Sequence, residues 1–162
     1  MRTLIAYASK TGTTAKAAHL LGEKLQDVTL RDLTSGSPNP DDYDMIIMGS
    51  SIRMGLLHKA ARKWLTDNWN AVKQKQYAFF ICNGFIDQAP QIIQSNFSEE
   101  ALQGAVCADS FGGEMDYKKL KGMDRFVTKM VMNDRKGKGQ DFLPCILTDR
   151  IQIFADTLKG KQ

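Results

Sequence analysis

The sequence lacks several features that mark particular classes of protein. No apolar run approaches the length of a membrane-spanning helix, and the N-terminus has no signal-peptide pattern, so we expect a cytoplasmic protein. The two histidines and three cysteines show no metal-ligand spacing, and an odd number of cysteines argues against a disulfide framework. Lysine and arginine are scattered over most of the chain. The missing ligand spacing predicts that there is no metal site, and the scattered basic residues predict that there is no nucleic-acid partner.

Two common phosphate-binding signatures are also missing, the loop G-x-x-x-x-G-K-[ST] and the dinucleotide fingerprint G-x-G-x-x-G. The first apolar run instead leads into Ser9-Lys10-Thr11-Gly12-Thr13-Thr14 and then into an amphipathic segment. A strand, a hydroxyl-rich turn and a helix in this order predict an anion site, because the first amides of a helix have no intrahelical partner. The alternative is that these hydroxyls only cap the helix. Their position directly after the first strand favours a phosphate.

The rest of the chain alternates apolar runs with helical patterns. Strands are predicted at Thr3–Ala8, Val28–Leu33, Met45–Gly49, Tyr77–Cys82 and 105–111, and the link 34–44 is predicted to be irregular. This alternation indicates a parallel sheet covered by helices on both faces, within one domain spanning 1–162. Such sheets bind ligands at the carboxyl ends of their strands. The loops after the first, third and fourth strands therefore lie together at the predicted site.

These loops resemble those of the flavodoxin family, in which an [ST]-x-T-G-x-T loop binds the phosphate of FMN. The stretch Gly49–Gly55 is similar to the second flavin loop of the bacterial quinone-dependent protoporphyrinogen oxidases, and 113–126 resembles the long insertion of that family. Met54 stands where an aromatic residue is usual, and Lys118–Gly122 lacks the family's Trp and Tyr. The resemblance implies a flavodoxin-like, doubly wound, five-stranded parallel sheet of order 2-1-3-4-5. A helical insertion at about 114–145 is expected after the fifth strand.

The resemblance also implies where FMN is bound. Its phosphate is expected at Ser9, Lys10, Thr11, Gly12, Thr13 and Thr14, and its ring between Ser51, Ile52, Arg53, Met54 and Gly55 on one side and Asn83, Gly84 and Phe85 on the other. Arg53 is the candidate catalytic residue, because a guanidinium near the ring would stabilise its anionic reduced form. The alternative is that Arg53 pairs with a surface carboxylate. Phe85 either stacks on the ring or packs under its loop.

The insertion carries a basic amphipathic pattern. Apolar residues recur at helical spacing at Leu120, Met123, Phe126, Val127, Met130 and Val131, with lysines and arginines beside them. Such a helix can lie on an anionic membrane surface, cover the flavin pocket, or pack on the sheet. The first alternative predicts a peripheral contact with the inner membrane face through 116–140.

Three functions follow from these expectations. The first is a flavoenzyme that oxidises a bulky substrate such as a porphyrinogen and reduces a quinone. The second is a small electron carrier that serves a redox partner protein, and the third is a binding module of the same fold without flavin. The net charge of +4 and the insertion favour the enzyme, since flavodoxin carriers are typically acidic.

Overall fold

The computed structural model describes residues 1–114, 122–137 and 145–161. Its strands are β1 (Thr3–Ala8), β2 (Val28–Asp32), β3 (Met45–Arg53), β4 (Leu56–Leu57), β5 (Gln76–Cys82) and β6 (Ala108–Ser110). Its helices are α1 (Thr13–Gly22), α2 (Lys59–Val72), α3 (Ala89–Asn96), α4 (Glu99–Gly104), α5 (Met123–Gly137) and α6 (Thr148–Lys159), with short 3-10 turns at Pro40–Asp42 and Ile86–Gln88.

The sheet has the strand order β2-β1-β3-β5-β6, and these neighbours pair in parallel. Strand β4 is a short antiparallel arm attached to β3. Without that arm the order is 2-1-3-4-5, so the predicted flavodoxin-like fold is confirmed. The irregular link 34–44 is also confirmed, apart from one 3-10 turn.

Residues of the central strands alternate between two apolar layers, as the two-residue period of a strand requires. Leu4, Ile46 and Phe79 face the layer beneath α2, α3 and α4, whereas Phe80 and its neighbours face α1 and α6. In the second layer the rings of Phe80 and Phe111 stack with centroids 4.7 Å apart. A Cβ on Gly49 would lie 2.0 Å from the Phe80 ring, so this ring packs directly on the backbone of β3.

Two elements differ from the prediction at the far edge of the sheet. The fifth predicted strand, 105–111, is reduced to Ala108–Ser110, although Val106 N and Phe111 N still donate to the carbonyls of Tyr77 (2.8 Å) and Ile81 (3.0 Å). Helix α4 was not predicted, and it begins where the Ser98 hydroxyl accepts from Ala101 N at 3.2 Å. Its six residues are too few for a clear helical period.

Helix α5 lies between β6 and α6, where the insertion was predicted. The insertion residues 115–121 and 138–144 lie outside the described residues, and with them Leu120 of the apolar pattern. Three described side chains of that pattern, Met123, Phe126 and Met130, are 70%, 64% and 58% exposed. These three side chains face solvent and therefore do not pack on the sheet, contrary to the third alternative for the insertion.

Candidate functional site

The site loops leave the sheet from one row of paired residues. Ala8 pairs with Ser50, Ser50 with Ile81, and Ile81 with Ser110, so the carboxyl-terminal parts of β1, β3, β5 and β6 lie side by side. The residues that follow are Ser9, Ser51, Cys82 and Phe111. The tertiary structure thus brings the three predicted loops to one edge, and it adds the loop after β6, which the sequence analysis did not single out.

The hydroxyl-rich loop has the geometry of an anion site. Gly12 stands before α1 with φ 94°, a conformation that favours glycine, and it exposes the backbone. No side chain caps the first turn of α1. The Ser9 hydroxyl accepts from Gly12 N at 3.0 Å, which shapes the loop and leaves the hydroxyl proton available to a ligand. An uncapped helix start therefore faces the position that a phosphate would take.

Thr14 provides a further test of whether the loop fits a phosphate. Its side chain is fully buried, and its hydroxyl has no hydrogen-bond partner. The Cys82 thiol lies beside it, and burial raises the pKa of this thiol to about 12, an effect that the Thr14 hydroxyl partly offsets. A neutral thiol is only a weak hydrogen-bonding partner, so the hydroxyl remains unsatisfied. A phosphate oxygen would supply the acceptor that Thr14 lacks, and the loop fits a phosphate.

The remaining residues of this loop differ in exposure. Thr11 and Thr13 are half-buried, whereas Lys10 is exposed. The Thr13 hydroxyl donates to the Glu114 carbonyl at 3.5 Å, and Lys16 pairs with the Glu114 carboxylate at 2.8 Å. The described start of the insertion is thereby attached to the first turn of α1.

The predicted loop after the third strand is instead a β-hairpin. Strand β3 continues to Arg53, and Ile52 and Arg53 pair with Leu57 and Leu56 of β4. The prediction of a strand ending at Gly49 was wrong because the polar residues that follow suggested a turn too early. Met54 and Gly55 have φ values of 50° and 76°, as a two-residue hairpin of type I′ requires. Ser51 and Ile52 are half-buried, and the other three predicted site residues are exposed.

Asn96 of α3 holds this hairpin against the body of the protein. Its amide group donates to the Gly55 carbonyl at 2.7 Å, and its side-chain oxygen accepts from Leu57 N at 3.0 Å. The start of the next helix is fixed as well, because His58 Nδ1 accepts from Ala60 N at 3.1 Å and His58 N donates to the Ser50 hydroxyl at 2.9 Å. Sequence analysis missed Asn96, since it lies 41 residues from Gly55 and only the fold brings them together.

The loop Asn83–Phe85 after β5 is held by hydrogen bonds of the Asn83 side chain. Asn83 is 7% exposed, and its amide group donates to the Phe85 carbonyl while its side-chain oxygen accepts from the Ser110 hydroxyl at 2.6 Å. Both polar ends of the Asn83 side chain thus bind protein atoms, and its predicted place beside the flavin stays a prediction. Gly84 and Phe85 are half-buried at the same edge.

No three His, Cys, Asp or Glu side chains are grouped to hold a metal within residues 1–114, 122–137 and 145–161. In the same ranges, no helix combines the length and the apolar character that crossing a membrane requires.

Comparison with known proteins supports the same assignment of fold and cofactor. The family model described as flavodoxin domain matches residues 4–141. The protoporphyrinogen IX dehydrogenase (quinone) of Escherichia coli is 24% identical over 166 residues, covering 94% of this chain and 91% of that protein.

Solved structures show the same fold at lower identity. Flavodoxin 2 of Bacillus cereus is 19% identical with a TM-score of 0.57, and the match covers both chains completely. A flavoprotein of Lactobacillus acidophilus solved in complex with FMN is 18% identical with a TM-score of 0.53, over 67% of this chain and 92% of that one.

Proposed function

Because the chain belongs to the flavodoxin domain family, we propose that it is an oxidoreductase that takes electrons from a bulky reduced substrate, such as a porphyrinogen, and passes them to a quinone. FMN is its cofactor, and FMN supplies the redox chemistry while the protein supplies orientation and electrostatics. The observation that carries the proposal is a hairpin with Arg53 at the same sheet edge as an uncapped anion loop, in a chain similar to the E. coli dehydrogenase over nearly its full length.

In this proposal the loop Ser9–Thr14 binds the phosphate. The backbone amides at the start of α1 and the hydroxyl of Ser9 donate to phosphate oxygens, and the buried hydroxyl of Thr14 completes the set. Hydrogen bonds to a charged acceptor contribute about 1.5–3 kcal/mol each, more than neutral ones. This concentration of donors favours FMN over riboflavin, which has no phosphate.

The ring is proposed to lie between the hairpin and the loop Asn83–Phe85. Arg53 stands on the hairpin arm with its neighbour Met54 at the turn, and the hairpin is held by Asn96. A unit charge about 6 Å from the ring is worth up to about 3 kcal/mol at an effective dielectric of about 20, before screening by solvent. A guanidinium there stabilises negative charge on the ring and raises the reduction potential, which suits an enzyme that accepts electrons from its substrate.

The exposed stripe of α5 supports contact with a quinone-bearing membrane. Met123, Phe126 and Met130 present apolar side chains to solvent, and the neighbouring Lys129 is exposed. A helix with one apolar face and basic flanks binds anionic lipid surfaces. Sedimentation with anionic vesicles tests this contact: Phe126→Ser with Met130→Ser should abolish binding, whereas the Ile153→Ser control on α6 should retain it. Equal binding by the double variant would remove the membrane contact from the proposal.

A second candidate function is an electron carrier for a partner enzyme. It is favoured by the match to the complete length of flavodoxin 2 of Bacillus cereus. The net charge of +4 speaks against docking on the basic partners that acidic carriers use.

The experiment that separates the two uses the FMN-loaded protein under anaerobic conditions. Protoporphyrinogen is added with or without a soluble quinone, and porphyrin formation is followed by fluorescence. Quinone-dependent porphyrin formation above the buffer control supports the enzyme. Reoxidation of the reduced protein by quinone without porphyrin formation retains the oxidoreductase class and removes the porphyrinogen. Failure of quinone to reoxidise the reduced protein, combined with electron delivery to a partner protein, favours the carrier.

A further inference from the structure

A buried chain of hydrogen bonds connects β6 to the loop after β5. Gly112 N donates to the Ser110 hydroxyl at 3.2 Å, and that hydroxyl donates to the Asn83 side-chain oxygen at 2.6 Å. The Asn83 amide group then donates to the Phe85 carbonyl. Ser110 is completely buried and Asn83 nearly so. The chain thus begins at the backbone of one site loop and ends at the backbone of another.

The direction of this chain is determined by its two backbone ends. The Gly112 amide can only donate, so it occupies an acceptor position of the Ser110 oxygen. The Phe85 carbonyl can only accept, so the amide nitrogen of Asn83 faces it and the side-chain oxygen of Asn83 faces Ser110. The hydroxyl proton of Ser110 donates to that oxygen. Ser110 thereby holds the oxygen end of the Asn83 side chain, while the Phe85 carbonyl holds its nitrogen end.

We propose that Ser110 is a positioning residue for the flavin: through Asn83 it turns the Phe85 carbonyl into the protein and fixes the loop Asn83–Phe85 against which the ring lies. This inference rests on the proposed position of the ring, and it extends the site to a strand that contacts the ring only through that loop. With the Phe85 carbonyl engaged, the loop cannot rotate that peptide toward the ring. Ser110 thereby affects how the site stabilises each oxidation state of FMN.

Gly113 supports the same role from the other side of the loop. A Cβ at this position would lie 3.2 Å from the Asn83 carbonyl carbon and 3.3 Å from Gly84 N, closer than ordinary contact. The backbone at Gly113 therefore packs directly on the loop that Ser110 holds. The two residues position one loop by different means, one by hydrogen bonds and the other by close packing.

Ser110→Ala removes the donor to Asn83 and the acceptor of Gly112 N, while its smaller side chain introduces no clash. The side-chain oxygen of Asn83 then loses this hydrogen bond, and the side chain keeps only its bond to the Phe85 carbonyl, so the loop is held less firmly. The expected result is about a tenfold loss of FMN affinity, or about 1.4 kcal/mol. The midpoint potential should also shift, and a tenfold difference between the affinities for oxidised and reduced FMN equals about 30 mV for two electrons.

The control is Thr3→Val, which removes another fully buried hydroxyl, at the amino end of β1 and so at the opposite edge of the sheet. Both variants should unfold at lower temperature than the wild type in the absence of FMN. Only Ser110→Ala should change the FMN dissociation constant, measured by quenching of flavin fluorescence, and the midpoint potential, measured by spectroelectrochemistry. A purely structural role of Ser110 would lower the stability and leave both of these quantities unchanged.

A double-mutant cycle tests whether Ser110 acts through Asn83. In the Asn83→Ala background, Ser110→Ala should cause no further loss of FMN affinity and no further shift of potential. Additive effects, or an unchanged affinity and potential in Ser110→Ala, would overturn the proposal. Wild-type protein that binds no FMN would instead contradict the flavin site itself, so the two failures are distinguishable.

Discussion

Replacing Thr14 with valine is expected to change stability and cofactor affinity in opposite directions. Valine keeps the shape of threonine and exchanges the hydroxyl for a methyl group. In the protein without FMN this hydroxyl is buried and unsatisfied, beside the Cys82 thiol. In the FMN-bound protein we expect it to donate to the phosphate. The same substitution therefore removes a cost from one state and a favourable bond from the other.

The magnitudes follow from the burial of the hydroxyl. Leaving a buried polar group unpaired costs about 1–3 kcal/mol, so removing it should stabilise the FMN-free protein by about 1 kcal/mol. For a chain of this length that raises the melting temperature by about 2–4 °C. The lost bond to a charged acceptor is worth about 1.5–3 kcal/mol, and about 2 kcal/mol corresponds to about a thirtyfold weaker dissociation constant.

Thermal melts with and without FMN provide the assay. At an FMN concentration about 100 times the wild-type dissociation constant, FMN stabilises the wild type by about 2.7 kcal/mol and the thirtyfold weaker variant by about 0.9 kcal/mol. Thr14→Val should thus melt above the wild type without FMN and below it with FMN. An FMN-free variant that melts below the wild type would refute the unsatisfied hydroxyl. An unchanged FMN affinity would refute the bond to the phosphate.

Three further variants or reagents test other parts of the molecule. Arg53→Glu should lower the two-electron midpoint potential in spectroelectrochemistry at low salt, and Lys161→Glu, at the opposite edge of the sheet, should not; equal shifts would place Arg53 away from the ring. Asn96→Ala removes both side-chain bonds to the hairpin and should cost about 1–3 kcal/mol in denaturant unfolding, with weaker FMN binding; unchanged FMN affinity would separate the hairpin from the site. Because burial raises the pKa of Cys82 to about 12 and Cys145 is exposed, a thiol reagent at pH 8 should label Cys145 rapidly and Cys82 only on unfolding, as peptide mapping would show.

The overall fold could be predicted because its signals are local. Apolar runs such as Met45–Met48 appear in the sequence as continuous stretches, since a central parallel strand is buried on both faces. Where the signal weakens, the prediction failed. The sequence around Met54–Gly55 predicts a loop rather than a hairpin, because only pairing across the turn identifies its arms as strands. The six residues of α4 carry too little periodicity to be recognised.

The sequence by itself determined the strand, hydroxyl-rich turn and uncapped helix start around Ser9–Thr14, because these are contiguous in the chain and the first amides of α1 need no distant partner. Only the tertiary structure decided how the hairpin and the loop after β5 are held. Asn96 reaches Gly55 across 41 residues, and Ser110 reaches Asn83 across 27. A polar side chain at either position has no local pattern that predicts its partner. The partner is selected when parallel strands align their carboxyl ends, and that alignment arises from burial of the whole sheet.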